Sequence, residues 1–110
     1  MNMITNKEQA LVNIIVKVVA SHWDVSEKGM LGRVRTYQTS LARKVAMTLC
    51  RDYAKISSAN VALIFDRRDP STVSAAACDI HGKSRQDFGL FNDLEAILQK
   101  IKTETKKDEQ

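Results

Sequence analysis

Ser57-Ser58-Ala59-Asn60-Val61-Ala62-Leu63-Ile64-Phe65-Asp66-Arg67-Arg68-Asp69-Pro70-Ser71-Thr72-Val73-Ser74-Ala75-Ala76-Ala77-Cys78-Asp79-Ile80 is the stretch that decides the fold. Ser57 and Ser58 are hydroxyl caps in front of a short apolar run, Val61, Ala62, Ile64 and Phe65. Asp66-Arg67-Arg68 interrupts that run with a polar turn. Asp69-Pro70-Ser71-Thr72 then starts a new helix. The Asp69 carboxylate suits the orphan amides of a first turn, and Pro70 takes the position where a missing N–H costs nothing. Val73, Ala76, Ala77 and Ile80 follow at helical spacing, so this helix is expected to run to about Ile80, with His81-Gly82-Lys83 as its end. A short helix, a tight turn and a second helix of this size make a helix-turn-helix. The second helix offers Ser71 and Thr72 at its positive end, where hydroxyls meet base edges and methyls meet thymine.

Upstream, Thr5-Asn6-Lys7-Glu8 is a capping box, followed by Leu11, Ile14, Ile15, Val18 and Val19. A first helix is expected over Asn6–His22, with Trp23 closing it over the core. Ser26 caps a short second helix that Gly32 ends. Gly32-Arg33-Val34-Arg35-Thr36-Tyr37-Gln38 reads as a basic loop. A third helix is expected over Thr39–Ala54, burying Leu41, Val45 and Leu49, with Ala42, Ala46, Cys50 and Tyr53 widening the stripe. Arg43, Lys44, Arg51 and Lys55 are expected off that stripe. Downstream, Phe88, Phe91, Leu94, Ile97, Leu98 and Ile101 mark a last helix over Gln86–Lys102. The fold class is therefore all-α: about six helices in one domain over residues 1–103, with a charged, frayed tail over 104–110.

The 110 residues carry a net charge of +4, but residues 31–68 alone hold eight cations against Asp52 and Asp66, a local +6. Positive charge gathered around the helix-turn-helix is the footprint of a phosphate-binding surface. Hydrophobic residues are 44% and charged residues 27%, a globular composition rather than a disordered one. Cys50 and Cys78 form no Cys-x-x-Cys pair and read as small core residues in a reducing compartment. The apolar run Leu11–Ala20 is short for a bilayer and carries Asn13 and Lys17, so no membrane association is expected and the location is cytoplasmic. His22 and His81 stand apart with no ligand set, and no nucleophile-base pattern occurs. No catalytic residue, metal or cofactor is expected.

Ala42-Arg43-Lys44-Val45-Ala46-Met47-Thr48-Leu49-Cys50-Arg51-Asp52-Tyr53, followed by Phe65-Asp66-Arg67-Arg68-Asp69-Pro70-Ser71-Thr72-Val73, resembles the C-terminal DNA-binding domain of the bacterial replication initiator DnaA. That domain is a Trp-repressor-like helix-turn-helix. By helix order the resemblance runs from Leu11 to Ile101, and its specific motifs lie between Leu31 and Ala76. It implies binding of double-stranded DNA at a short, asymmetric, AT-rich box. The family's major-groove positions fall on Asp69, Pro70, Ser71 and Thr72. Its minor-groove arginine falls on Arg35, its phosphate-contacting lysine on Arg51, and its amide contact with phosphate on Ser57–Asn60. Arg33, Arg43, Arg67 and Arg68 complete the expected DNA-binding set, with Ser57 and Ser58 as caps that also approach phosphate. For Arg68 an ion pair inside the fold is an equal expectation.

The chain departs from the family pattern at Pro70, where the family has a histidine, at Asp66 and Arg67, where it has glycines, and at Tyr37, where a basic residue is frequent. Gly-x-x-x-x-Gly-Lys-Ser/Thr does not occur, so no nucleotide is expected. The chain is expected to be either a free-standing relative of the initiator domain or a piece excised from something longer, and the Met1 start favours the former. Three roles fit: a site-specific binder in replication initiation or its regulation, with other replication proteins as further partners at the nucleoid; a transcriptional repressor, dimeric on a palindrome; or an interaction module that has lost DNA binding.

Overall fold

A computed structural model describes residues 4–108, all of whose regular elements are helices: α1 (Asn6–Trp23), α2 (Glu27–Leu31), α3 (Tyr37–Asp52), α4 (Ser58–Ile64), α5 (Pro70–Gln86) and α6 (Phe88–Asp108). The ends of the expected domain and tail, residues 1–3 and 109–110, lie outside the described residues.

Local chemistry places each boundary. The Thr5 hydroxyl accepts from the Glu8 amide at 3.0 Å while the Glu8 carboxylate accepts from the Thr5 amide at 2.8 Å, the reciprocal pair of a capping box. Ser26 caps α2 through the Gly29 amide at 2.9 Å, and Ser57 caps α4 through the Asn60 amide at 3.2 Å. α3 starts two residues earlier than the apolar pattern indicates. Thr36 is its N-cap, accepting from the Thr39 amide at 3.2 Å, so Tyr37 and Gln38 belong to the helix and not to the loop.

α5 differs more from expectation. It passes through His81-Gly82-Lys83 and ends at Gln86. Gly82 does not take the left-handed conformation that would stop a helix, and the Asp79–Lys83 ion pair at 3.2 Å spans it on one face. Asp87 makes the break: it is extended, and its carboxylate accepts from the Leu90 amide at 3.1 Å, so the residue that ends α5 also caps α6. α6 continues to Asp108, past the position where a frayed tail was expected.

α3 sits at the centre and packs on α1 and α5; α1 also packs on α6, and α4 on α5. Ile15, Val19, Met30, Val45, Cys50, Val61, Phe65, Val73, Ile80, Ile97 and Ile101 fill the interior. Each apolar side chain of this size contributes about 1.5–3 kcal/mol when fully buried. Cys50 behaves as such a core residue, and burial pushes its thiol up to about 12. Cys78 is exposed on α5, contrary to the core role expected for it. Trp23 packs against the cluster without closing it completely. Three cross-helix pairs add to the packing, His22–Asp93 between α1 and α6 at 2.8 Å, and Lys44–Asp79 and Asp52–His81 between α3 and α5 at 2.9 and 2.8 Å.

Candidate nucleic-acid interface

α4, residues 65–69 and α5 form the helix-turn-helix, and the turn is a Schellman closure. The Arg67 amide donates to the Ala62 carbonyl at 2.7 Å and the Asp66 amide to the Leu63 carbonyl at 3.1 Å. This closure needs a left-handed residue, and Asp66 supplies it with φ of 57°. Aspartate tolerates that conformation better than most residues with a Cβ. The turn thus closes without glycine at either position. Phe65, fully buried, pins the turn to the core.

The turn and the basic loop are one corner of the molecule. The Arg67 guanidinium donates to the Gly32 carbonyl at 3.2 Å and to the Phe65 carbonyl at 2.7 Å. From the other side Arg33 donates to the Asp66 carbonyl at 3.2 Å and faces its carboxylate at 3.5 Å. Arg67 therefore spends its donors on backbone carbonyls that join loop to turn, a brace where a phosphate contact was expected.

Arg43 requires a correction. It was expected on the solvent side of α3, but it is 6% exposed. Its guanidinium donates to the carbonyls of Met30 at 2.7 Å, Gly29 at 2.9 Å and Val34 at 2.7 Å. A planar fork of donors suits several convergent carbonyls better than an ammonium does. Burial, then repulsion from Arg67 and Arg35, holds its pKa below the ordinary guanidinium value. Arg43 is thus the post on which the end of α2 and the basic loop are hung, and it is not available to phosphate.

Arg35 projects into solvent from the loop, close enough to Arg43 to repel it. Arg68 is also exposed and has no carboxylate within ion-pair distance among the described residues, so the internal pair considered for it is not formed. Asp69, Pro70 and Ser71 are exposed at the start of α5, and Thr72 is half-buried. The Asp69 carboxylate accepts from the Ser71 amide at 2.9 Å, which holds its pKa below the usual carboxylate range. Arg51 lies at the far end of α3, beside Asp52 at 3.6 Å, and neither it nor Ser57 or Ser58 touches the corner formed by loop and turn.

The structure therefore joins Arg33 and Arg67 across loop and turn, with Arg35 and Arg67 close to the Arg43 post and Asp66 as the counter-charge of Arg33. The roles of Arg43 and Arg67 were missed from sequence because their partners are backbone carbonyls, which carry no side-chain signal. The position of Arg43 was nevertheless readable: it precedes buried Met47 by one turn and follows buried Thr39 by another.

A family described as the bacterial dnaA protein helix-turn-helix matches residues 12–80, which include α2, α3, α4, the turn and most of α1 and α5. The chain belongs to the bacterial DnaA helix-turn-helix family. Among its relatives, the chromosomal replication initiator protein DnaA of Tropheryma whipplei (strain Twist) is 35% identical over 87 residues, covering 79% of this chain and 18% of the relative. The protein of the same name from Aquifex aeolicus (strain VF5) is 35% identical over 86 residues, 78% of this chain and 21% of the relative. That of Lachnoclostridium phytofermentans is 25% identical over 96 residues, 87% and 21% respectively. The chain thus spans about a fifth of the length of these DnaA proteins. Among the described residues no helix is long and apolar enough to cross a membrane.

Proposed function

We propose that this chain is a sequence-specific binder of double-stranded DNA that acts in replication initiation or its regulation. The observation that carries the reading is the arginine corner. Arg33 and Arg67 tie loop and turn together through backbone carbonyls, and Arg35 and Arg67 lie close to a buried Arg43, at the side of a helix-turn-helix. Like charges kept this close repel one another, and a polyanion relieves that repulsion. The family supports DNA as the polyanion, and the name of the relatives supports the process.

In this reading the start of α5 enters the major groove. Ser71 and Thr72 read base edges, with Asp69 setting the helix end and Pro70 offering an apolar contact where a donor is absent. Arg35 enters the neighbouring minor groove, whose negative potential is deepest where an AT-rich sequence narrows it. Arg33, Arg51 and Arg68, with the amides behind Ser57 and Ser58, take phosphates. The loss of a histidine at Pro70 favours a recognised box that differs from the one the family's usual residues would read. The chain does this without binding nucleotide itself.

Selection from a randomised duplex pool, followed by anisotropy titrations at several salt concentrations, tests the proposal. One asymmetric AT-rich site is the expected outcome, and paired half-sites would replace the initiation role with that of a dimeric repressor. A folded protein that retards no duplex at low salt would overturn the reading.

A further inference from the structure

Large apolar side chains left in water need an explanation when they stand among charges. Tyr37 is 77% exposed and Val34 is 46% exposed, and both lie in the stretch that carries Arg33 and Arg35. Tyr37 is the first residue of α3, directly after the Thr36 cap. Its phenol makes no hydrogen bond, ion pair or ring contact to any described residue.

The backbone beneath these side chains is fixed. Arg43 holds the Val34 carbonyl at 2.7 Å, Arg67 holds the Gly32 carbonyl at 3.2 Å, and the Thr36 hydroxyl caps α3 and also donates to the Thr39 hydroxyl at 2.8 Å. An aromatic ring is thus presented on a rigid base, with few torsions to freeze on contact. Surrounding cations exclude a basic or purely apolar partner and favour one that is anionic at its periphery and flat and apolar inside. Duplex DNA has that cross-section: phosphates outside, stacked bases within.

We propose that Tyr37, supported by Val34, is a wedge that enters the duplex beside Arg35 and opens one base step, so that the protein selects for steps that are easily unstacked. The inference rests on the DNA-binding reading above and adds a determinant that reads deformability, not base edges. Apolar side chains inserted from the minor groove kink DNA by partial unstacking, and pyrimidine–purine steps yield most readily. The phenol hydroxyl adds a donor for the acceptors that line the minor groove.

The test uses the duplex enriched by the wild-type protein, with 2-aminopurine placed at one adenine at a time. Wild-type protein is expected to brighten the probe at a single step next to the Arg35 contact. Tyr37→Ala is expected to abolish that brightening and weaken binding about 5- to 150-fold, the range of a lost aromatic–base contact. Its salt dependence and melting temperature stay at wild-type values, because the side chain is neutral and exposed. Tyr37→Phe retains the brightening. A mismatch placed at the brightened step tightens the wild-type protein and leaves Tyr37→Ala unchanged. If the wild-type protein binds its enriched duplex and Tyr37→Ala binds it equally, with the same fluorescence, the wedge is refuted and the DNA-binding reading stands. If the wild-type protein enriches no duplex, both fall.

Discussion

Arg43→Met removes the post and keeps its stem. The methionine side chain retains most of the apolar contact of the arginine methylenes, so the change isolates the guanidinium. Three carbonyls lose their donor. Val34 is exposed, and water takes over its carbonyl; Gly29 and Met30 are buried, and theirs are left unsatisfied. A buried acceptor stranded in this way costs about 1–3 kcal/mol, so two of them cost about 2–6 kcal/mol. Relief of the repulsion from Arg35 and Arg67 acts in the opposite direction, by about 1 kcal/mol or less under solvent screening. The net destabilisation is about 1–6 kcal/mol, set against the roughly 5–15 kcal/mol that holds a domain of this kind together. At about 4–8 °C per kcal/mol it lowers the melting temperature by at least about 4 °C. Thermal melts followed by far-ultraviolet circular dichroism measure it, and Arg43→Lys is expected to fall between the two, because one ammonium reaches fewer carbonyls. A melting temperature for Arg43→Met within about 3 °C of wild type would refute the argument and return Arg43 to the surface role its charge first indicated.

Asp66 holds the left-handed position of the turn, so Asp66→Ala is expected to cost about 1 kcal/mol in urea titrations while Asp66→Gly costs nothing measurable; equal losses in the two variants would mean the turn does not depend on that conformation. Arg35→Ala and Arg51→Ala are each expected to reduce the slope of log affinity against log salt by about 0.9, and an unchanged slope for either removes that residue from the proposed DNA-facing set. The Ser71 amide depresses the Asp69 carboxyl, and Lys44 followed by Lys83 depresses that of Asp79. Because both are lowered in the folded state, the unfolded chain binds more protons in acid. Their contribution is complete above the ordinary carboxylate value of about 4 and is lost as pH falls through the native values. Urea midpoints measured through that window are expected to fall less steeply for Asp69→Asn, and an identical pH profile would contradict the assignment.

Helix identity was legible wherever apolar spacing and a capping side chain agreed, as at Thr5, Ser26, Ser57 and Asp69. It was misjudged where a single residue type stood for a boundary. Gly82 looked like a stop, yet it keeps a helical backbone and does not turn left-handed, and the Asp79–Lys83 pair spans it as α5 continues. Thr36 was passed over as a cap because the loop around it is basic and the apolar pattern begins later. For the candidate interface, charge density pointed to the stretch that forms the arginine corner but not to the division of labour within it. Arginine at the surface and arginine threaded through a bundle to serve carbonyls look alike in a sequence. Arg33 and Arg35 remain at the surface, whereas Arg43 turns inward and Arg67 lies across the seam.

That seam has a mechanical consequence. Because Arg33 and Arg67 bolt the loop to the turn, the two parts proposed to touch DNA cannot slide or swivel independently. They work as the jaws of a fixed-gap caliper. A target with one base pair added between the two contact points moves the second by about 3.4 Å along the axis and about 35° around it. A caliper without a joint has no means of following that displacement, so tolerance for altered spacing is excluded by construction and not by any single contact.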